Sequence, residues 1–209
     1  SYKETAGIGS AEDVSCGDIF IHGGKLDVTG GEYGAGIGTG PLYDREDCVG
    51  GEVRVYAGDV TVHGGDKAAG IGSGSAWVTS QNDAGELYVY GGIVRATGGD
   101  MGAGVGGGGG RDRTFIRSSK MGSNGGRVYV YGGELIATGG SRAAGIGCGT
   151  TAEGYHRNGG LLKVYGGKVT ATGGDYGAGI GGGCNGDGGD VEISGGTVRA
   201  TGGKNSAGI

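Results

Sequence analysis

The chain has 209 residues with 61 glycines but only 1 proline, and without a G-X-Y period this composition excludes a collagen-like helix. The net charge of −5, from 17 basic and 22 acidic residues, lacks the basic stripe of nucleic-acid-binding proteins. We therefore expect no nucleic-acid partner. No apolar run approaches the length of a membrane-spanning helix, so we expect no membrane insertion.

One phrase recurs along the whole chain. AGIG or AGVG begins at residues 6, 35, 69, 103, 144 and 178, and AGI begins at 207. The spacings of 29, 34, 34, 41, 34 and 29 residues fit a unit of about 29 residues with insertions. Such self-similarity is typical of a solenoid in which every repeat packs only on its neighbours.

Each repeat contains two further segments in which apolar residues alternate with other residues. Alternation over four or five residues, closed by two glycines, predicts a short strand followed by a turn. The first segments read DIFIHGG, EVRVYAG, ELYVYGG, RVYVYGG, LKVYGG and VEISGG. The second segments read KLDVTGG, DVTVHGG, IVRATGG, ELIATGG, KVTATGG and TVRATGG.

The pattern predicts an all-β fold, a right-handed parallel β-helix of six coils with three short strands per coil. The AGIG phrase supplies the third strand, and the right hand follows from the preference of parallel crossover connections. We expect residues 1–209 to form one domain, and because the motif runs to both ends we expect a segment of a longer array. The predicted core is the inward set Ile19/Ile21, Val53/Val55, Leu87/Val89, Val128/Val130, Leu162/Val164, Val191/Ile193, Leu26/Val28, Val60/Val62, Val94/Ala96, Leu135/Ala137, Val169/Ala171 and Val198/Ala200.

The four cysteines occur in pairs on adjacent coils. Cys16 and Cys48 precede the first strands of two coils, and Cys148 and Cys184 follow the AGIG phrase of two others, with an offset of two residues in each pair. Since neighbouring coils lie about 4.8 Å apart, we expect two disulfides and therefore an oxidising, extracellular setting. The alternative is four unpaired thiols.

The outward positions of the first strand predict a ladder of four tyrosines, Tyr56, Tyr90, Tyr131 and Tyr165, beside Tyr88 and Tyr129. An exposed aromatic ring can stack on the apolar face of a sugar, and its hydroxyl can bond to sugar hydroxyls. Two alternatives remain open at this point: the rings stack on one another and stiffen the sheet, or inserted loops cover them.

The insertions all fall between the AGIG phrase and the first strand, so they should cluster at one edge. They hold the single tryptophan, Trp77, which we add to the candidate ligand-binding residues. Loops gathered on one side of a solenoid often form its binding surface.

Catalysis, cofactors and metals find little support in the sequence. Polysaccharide lyases and hydrolases use grouped carboxylates, whereas the loop acids here do not recur at matching positions, so we expect no enzyme. The stretch Gly186–Asp190 resembles calcium-binding glycine-aspartate repeats but occurs once, and the histidines are scattered. We therefore expect no cofactor or metal, with calcium as the alternative.

The coil motif GGxVxATGGxxxAGIGxG, as around Gly167–Gly183, resembles glycine-rich repeats of large secreted surface proteins of Gram-positive, often gut-dwelling bacteria. It is also similar to repeats of extracellular β-helix proteins described as carbohydrate-binding. The resemblance covers nearly the whole chain and implies a non-catalytic extracellular binding or adhesion module, secreted or attached to the cell surface. Its partner would be a glycan or a host surface protein. A structural stalk, self-association end to end or side by side, and a polysaccharide-degrading enzyme remain as alternatives.

Overall fold

The computed structural model describes residues 4–43, 48–76, 83–110, 122–151 and 156–209. These residues form short strands joined by turns, and the strands assemble into three six-stranded parallel sheets. Sheet 1 contains β1 (Ile8–Gly9), β4 (Ile37–Gly38), β7 (Ile71–Gly72), β10 (Val105–Gly106), β13 (Ile146–Gly147) and β16 (Ile180–Gly181). Sheet 2 contains β2 (Ile19–Ile21), β5 (Glu52–Val55), β8 (Glu86–Val89), β11 (Arg127–Val130), β14 (Leu161–Val164) and β17 (Asp190–Ile193). Sheet 3 contains β3 (Lys25–Thr29), β6 (Asp59–His63), β9 (Ile93–Thr97), β12 (Glu134–Thr138), β15 (Lys168–Thr172) and β18 (Thr197–Thr201).

Every strand pairs with the equivalent strand of the next coil. In sheet 2, for example, Val128 pairs with Leu87 on one side and with Leu162 on the other. Each coil therefore contributes one strand to each sheet, in the order sheet 1, sheet 2, sheet 3. The predicted parallel β-helix of six coils is confirmed.

The core fills the space between the three sheets. All but one of the predicted inward residues of sheets 2 and 3 join the isoleucines and the valine of sheet 1 in one hydrophobic cluster. The prediction was wrong for Ile193, which is 49% exposed because its strand, β17, lies at the edge of sheet 2 with a neighbour on one side. Side chains of the middle coils, such as Val89, Val94 and Leu135, are at most 2% exposed. Those of the last coil, such as Val191 and Val198, are only partly buried, because a coil needs a neighbour on both sides to bury its apolar face.

The glycine that ends each sheet 1 strand explains the AGIG phrase. Gly72 has a φ of +135°, and a Cβ atom at that position would lie 2.1 Å from the carbonyl oxygen of Gly106 in the next coil. Only glycine satisfies both the backbone conformation and the close approach. Equivalent glycines of the other coils have φ values between +128° and +143°.

The beginnings of the loops pack beside sheet 1 and on each other. Leu42, Ala76 and Gly110 form successive parallel bridges, and Leu42, Ala76 and Cys48 make a second, small core. The backbone N–H of Ser75 donates to the carbonyl oxygen of Tyr33 in the preceding coil, at 2.9 Å. The described parts of the loops therefore stack in register along one edge of the solenoid.

The predicted disulfide between Cys16 and Cys48 does not form. The register pairs Ile19 with Val53. Cys16 therefore lies level with Gly50, two residues out of step with Cys48. Two residues span about 6.6 Å along a strand, so with the coil spacing the Cα atoms are about 8 Å apart, beyond the ~7 Å that a disulfide can bridge.

The second predicted disulfide, between Cys148 and Cys184, fails for the same reason. Gly147 pairs with Gly181, which keeps the two-residue offset between the cysteines. The buried thiol of Cys148 lies 3.6 Å from the carbonyl oxygen of Arg157, to which it donates. The cysteines thus give no indication of an oxidising compartment.

Within the described ranges no helix has the length and apolar character needed to cross a membrane.

Candidate functional site

The outer face of sheet 2 carries the candidate site because its outward residues form three parallel columns. Side chains along each strand point alternately inward and outward, so two residues of each strand are buried and the residues next to them face outward. The columns run along the solenoid, one residue per coil. The acidic column contains Asp18, Glu52, Glu86, Arg127, Leu161 and Asp190; the mixed column contains Phe20, Arg54, Tyr88, Tyr129, Lys163 and Glu192; and the outermost column contains His22, Tyr56, Tyr90, Tyr131, Tyr165 and Ser194.

The four tyrosines of the outermost column, Tyr56, Tyr90, Tyr131 and Tyr165, form the tyrosine ladder. Their ring centroids are 5.1, 5.0 and 4.8 Å apart in turn, and the ring planes are 7°, 8° and 11° from parallel. The ring of His22 extends the stack, at 4.9 Å from Tyr56. The in-register ladder expected from the sequence is thus confirmed.

The tyrosine ladder exposes ring edges and hydroxyls. Tyr90 and Tyr131 have a neighbouring ring on each face, yet they are 39% and 43% exposed. Tyr165, at the end of the stack, is also 43% exposed and so offers no larger ring surface than Tyr131. The described loop segments do not cover the ladder, and a ligand would meet a row of phenol groups at intervals of about one coil.

The side chains of the mixed column also contact one another from coil to coil. The guanidinium of Arg54 lies 5.5 Å from the ring centroid of Phe20 and 5.4 Å from that of Tyr88, a cation–π contact on each side. Tyr88 stacks on Tyr129 at 4.7 Å, and Lys163 pairs with Glu192 at 2.7 Å. Most of sheet 2's outer surface is therefore a plate of side chains that stack or pair along the solenoid.

The phenol groups of this face have altered acidity. The hydroxyl of Tyr88 donates to a carboxylate oxygen of Glu86, and this hydrogen bond, with burial and nearby charge, raises the pKa of Tyr88 well above its usual value. Burial, followed by the neighbouring tyrosines, raises the pKa of Tyr131. Both phenols consequently stay neutral at physiological pH and can donate as well as accept hydrogen bonds.

A groove runs beside the acidic column, across the coils, with a volume of about 570 Å³. One wall is the acidic column, from Asp18 to Asp190, and the other is a column three residues earlier in each coil. Glycines at the floor keep it free of side chains. The second wall contains Val49, Asp83, Asn124 and Asn158, and the floor contains Gly51, Gly85, Gly126 and Gly160. With a coil spacing of about 4.8 Å, six coils make the groove about 24 Å long.

Two hydrogen bonds between coils and one within a coil fix the second wall. The amide nitrogen Nδ2 of Asn124 donates to Oδ1 of Asp83 at 3.0 Å, and the backbone N–H of Asn158 donates to Oδ1 of Asn124 at 3.2 Å. The backbone N–H of Gly160 donates to Oδ1 of Asn158 at 2.7 Å. The wall is therefore preorganised, with amide groups at equivalent heights in successive coils.

The groove offers both donors and acceptors. Five carboxylates line it, from Asp18, Glu52, Asp83, Glu86 and Asp190, together with the amides of the second wall. Among the described lining residues the only cation is Arg127, whose Nη1 lies 3.0 Å from Oε1 of Glu86. This arrangement can hydrogen-bond a hydroxyl-rich molecule from two sides.

The structure brings together six of the seven ligand-binding residues predicted from the sequence. The six tyrosines lie together on one face, whereas Trp77 lies outside the described residues. Sequence reasoning missed the groove, although the recurrence of asparagine three residues before the strands at Arg127 and Leu161 was a usable signal.

Residues considered for metal binding do not gather. In the described part of the chain no three histidine, cysteine, aspartate or glutamate side chains form a group that could hold a metal ion. Asp187, in the stretch considered for calcium, has Oδ1 3.1 Å from Nδ1 of His156.

Comparison with known proteins adds the family. The β-helix repeat model matches residues 21–41, 53–75, 128–150, 162–184 and 191–209, which together make up just over half of the chain. No curated protein and no solved structure matches the chain. The matched segments are coils of the solenoid described above, and the chain belongs to the β-helix repeat family.

Proposed function

We propose that the chain is a non-catalytic glycan-binding module, secreted or attached to a cell surface, and that its ligand lies along the outer face of sheet 2. The observation that carries the proposal is the long polar groove, about 570 Å³ in volume, running parallel to the tyrosine ladder. A groove that crosses the coils suits an extended polymer better than a compact small molecule.

The chemistry of the groove suits sugar hydroxyls, which both donate and accept hydrogen bonds. The carboxylates of Asp18 and Asp190 are acceptors, and the amides of Asn124 and Asn158 supply donors. Polar side chains recur along the groove at the coil spacing of about 4.8 Å, which is comparable to the length of one sugar unit in an extended chain. Each sugar would then meet at least one carboxylate or amide, although the groups differ from coil to coil.

The tyrosine ladder would contribute through its hydroxyls and ring edges. Its ring faces contact each other, so stacking of a sugar on the middle rings is not available without breaking the ladder. The location outside the cell is supported by the resemblance of the coil motif to secreted surface repeats, and the cysteines add nothing to it.

The proposal is tested by screening the protein on a glycan array and measuring the affinity for the glycans that bind. The double variant Asn124→Ala/Asn158→Ala and the single variant Tyr90→Phe remove hydrogen-bonding groups while keeping the core. We expect the double variant to bind at least about tenfold more weakly, since each lost hydrogen bond is worth about 1 kcal/mol. Release of new reducing ends is followed in the same mixtures, and we expect none.

The matched control is Thr97→Ala/Thr170→Ala on the outer face of sheet 3, which should bind like the wild type. Unfolding curves of all variants exclude a general loss of structure. An array without any bound glycan, or a groove variant with wild-type affinity, would contradict the proposal.

A rigid spacer is the second candidate function, and a specific observation favours it. Contacts within the tyrosine ladder and the mixed column use the side chains to tie successive coils together. If no glycan binds while loss of the ladder destabilises the chain, this second function is the better account.

A further inference from the structure

The cations bordering the groove are matched by neighbouring anions. Arg127 pairs with Glu86 at 3.0 Å, and Arg54, in the adjacent column, pairs with Glu52. Lys163 pairs with Glu192 at 2.7 Å. These three side chains thus add no uncompensated positive charge to the sheet 2 face.

Three carboxylates of the groove have no such compensation. Asp18 accepts the backbone N–H of Glu52 at 3.3 Å, and Asp83 accepts the amide of Asn124 at 3.0 Å, both from neutral donors. Among the described residues, neither these two nor Asp190 forms an ion pair. They lie in the first, third and sixth coils and so distribute negative charge along the whole groove.

We infer that the groove selects uncharged, hydroxyl-rich glycans and excludes polyanionic ones. This inference rests on the proposed function and names the class of glycan. A polymer carrying a carboxylate, sulfate or phosphate on each unit would place an anion near Asp18, Asp83 or Asp190 wherever it lay. A neutral sugar instead donates its hydroxyl hydrogens to these carboxylates in charge-assisted hydrogen bonds, which are stronger than neutral ones.

The repulsion acts over several coils. At low ionic strength the Debye length exceeds the coil spacing severalfold, so each ligand anion experiences more than one groove carboxylate. The field of the whole groove, rather than one contact, therefore decides the selectivity.

The test compares hexasaccharides of glucose, mannose, galactose and xylose with the hexamer of galacturonic acid, by calorimetry on the complete chain. We expect at least one neutral hexasaccharide to bind about tenfold or more tightly than the galacturonic acid hexamer at low salt. The difference should shrink as salt is added, because screening weakens the repulsion.

A charge-reversal pair localises the effect. Asp83→Lys/Asp190→Lys should raise the affinity for the galacturonic acid hexamer about tenfold or more. The control Asp27→Lys/Asp66→Lys changes the net charge equally on exposed positions away from the groove, and should raise it much less. Thermal unfolding confirms that both variants are folded.

Equal wild-type affinity for a neutral hexasaccharide and the galacturonic acid hexamer would overturn the inference alone and leave glycan binding in place. An equal gain in the two charge-reversal variants would also overturn it, since net charge rather than the groove would then be responsible. Failure of every hexasaccharide to bind would overturn the proposed function and this inference together.

Discussion

The rings of Tyr90 and Tyr131 lie 5.0 Å apart and 8° from parallel, although a complete coil of chain separates the two residues. The contact exists because β8 and β11 pair in register, so the residue after Val89 and the residue after Val130 project from the same height. One exposed side chain in each coil is enough to build a column of contacts along the solenoid. Such columns give the thin coils cohesion beyond their apolar core.

Loss of one ring from the tyrosine ladder should destabilise the protein. Tyr90→Ala removes the stacks on Tyr56 and Tyr131, each worth about 0.5–1.5 kcal/mol, and a longer ring contact with Tyr88 at 6.4 Å. We therefore expect the free energy of unfolding to fall by about 1–3 kcal/mol or more. Tyr90→Phe keeps the stacking and should lose little. Urea unfolding measures both, with Tyr176→Ala, an exposed tyrosine outside the ladder, as the control. Equal losses for Tyr90→Ala and Tyr176→Ala would show that the stacking contributes nothing.

The glycines of sheet 1 should tolerate no side chain. In Gly72→Ala the new methyl group would meet the carbonyl oxygen of Gly106 at 2.1 Å, in a backbone conformation with φ of +135°. We expect a loss of about 3 kcal/mol or more, or failure to fold. The control is Gly23→Ala, where an added Cβ would have no atom within 4 Å, and it should change stability by less than about 0.5 kcal/mol. Thermal unfolding that shifts equally in both variants would contradict this explanation of the AGIG phrase.

Alkaline conditions should weaken the outer face of sheet 2. The hydrogen bond to Glu86 raises the pKa of Tyr88 above the value of about 10 for an unfolded tyrosine. The stabilisation is therefore complete below about pH 10 and is lost as the pH rises through the folded-state pKa. Free energies of unfolding at about pH 8 and about pH 11 should differ less in Tyr88→Phe and in Glu86→Gln than in the wild type. An unchanged pH dependence in both variants would rule out this pair as the cause.

The thiols should react as separate cysteines of unequal access. Burial raises the pKa of Cys148 to about 11, and its side chain is 0% exposed, whereas Cys184 is half-buried. Iodoacetamide should label Cys184 faster than Cys148, which should react fully only after unfolding, because the thiolate is the reactive form. Peptide mass spectrometry gives the labelling rates. Reducing agent should leave the unfolding midpoint unchanged, and a fall on reduction would reveal a disulfide and contradict the register described above.

The sequence predicted the solenoid with high fidelity because every coil repeats the same alternation. The alternation places residues such as Val128 and Val130 in the core, and they are 2% and 0% exposed. The coil spacing predicts two disulfides, which are absent because the paired cysteines are offset by two residues along the strands. The sequence analysis did not predict the groove, because the groove lies between two columns of residues and neither column by itself indicates a cavity.

The amino-acid sequence by itself determined the coils, the strand faces and the alignment of the tyrosines, since these follow from short-range alternation and a repeated length. Only the tertiary structure decided what the tyrosine ladder exposes and where the polar groove lies. The physical reason is that stacking distance and ring orientation depend on how successive coils pack. The ring faces of the tyrosines stack on one another, so the hydroxyls, the ring edges and the neighbouring carboxylates are the groups that remain available to a ligand.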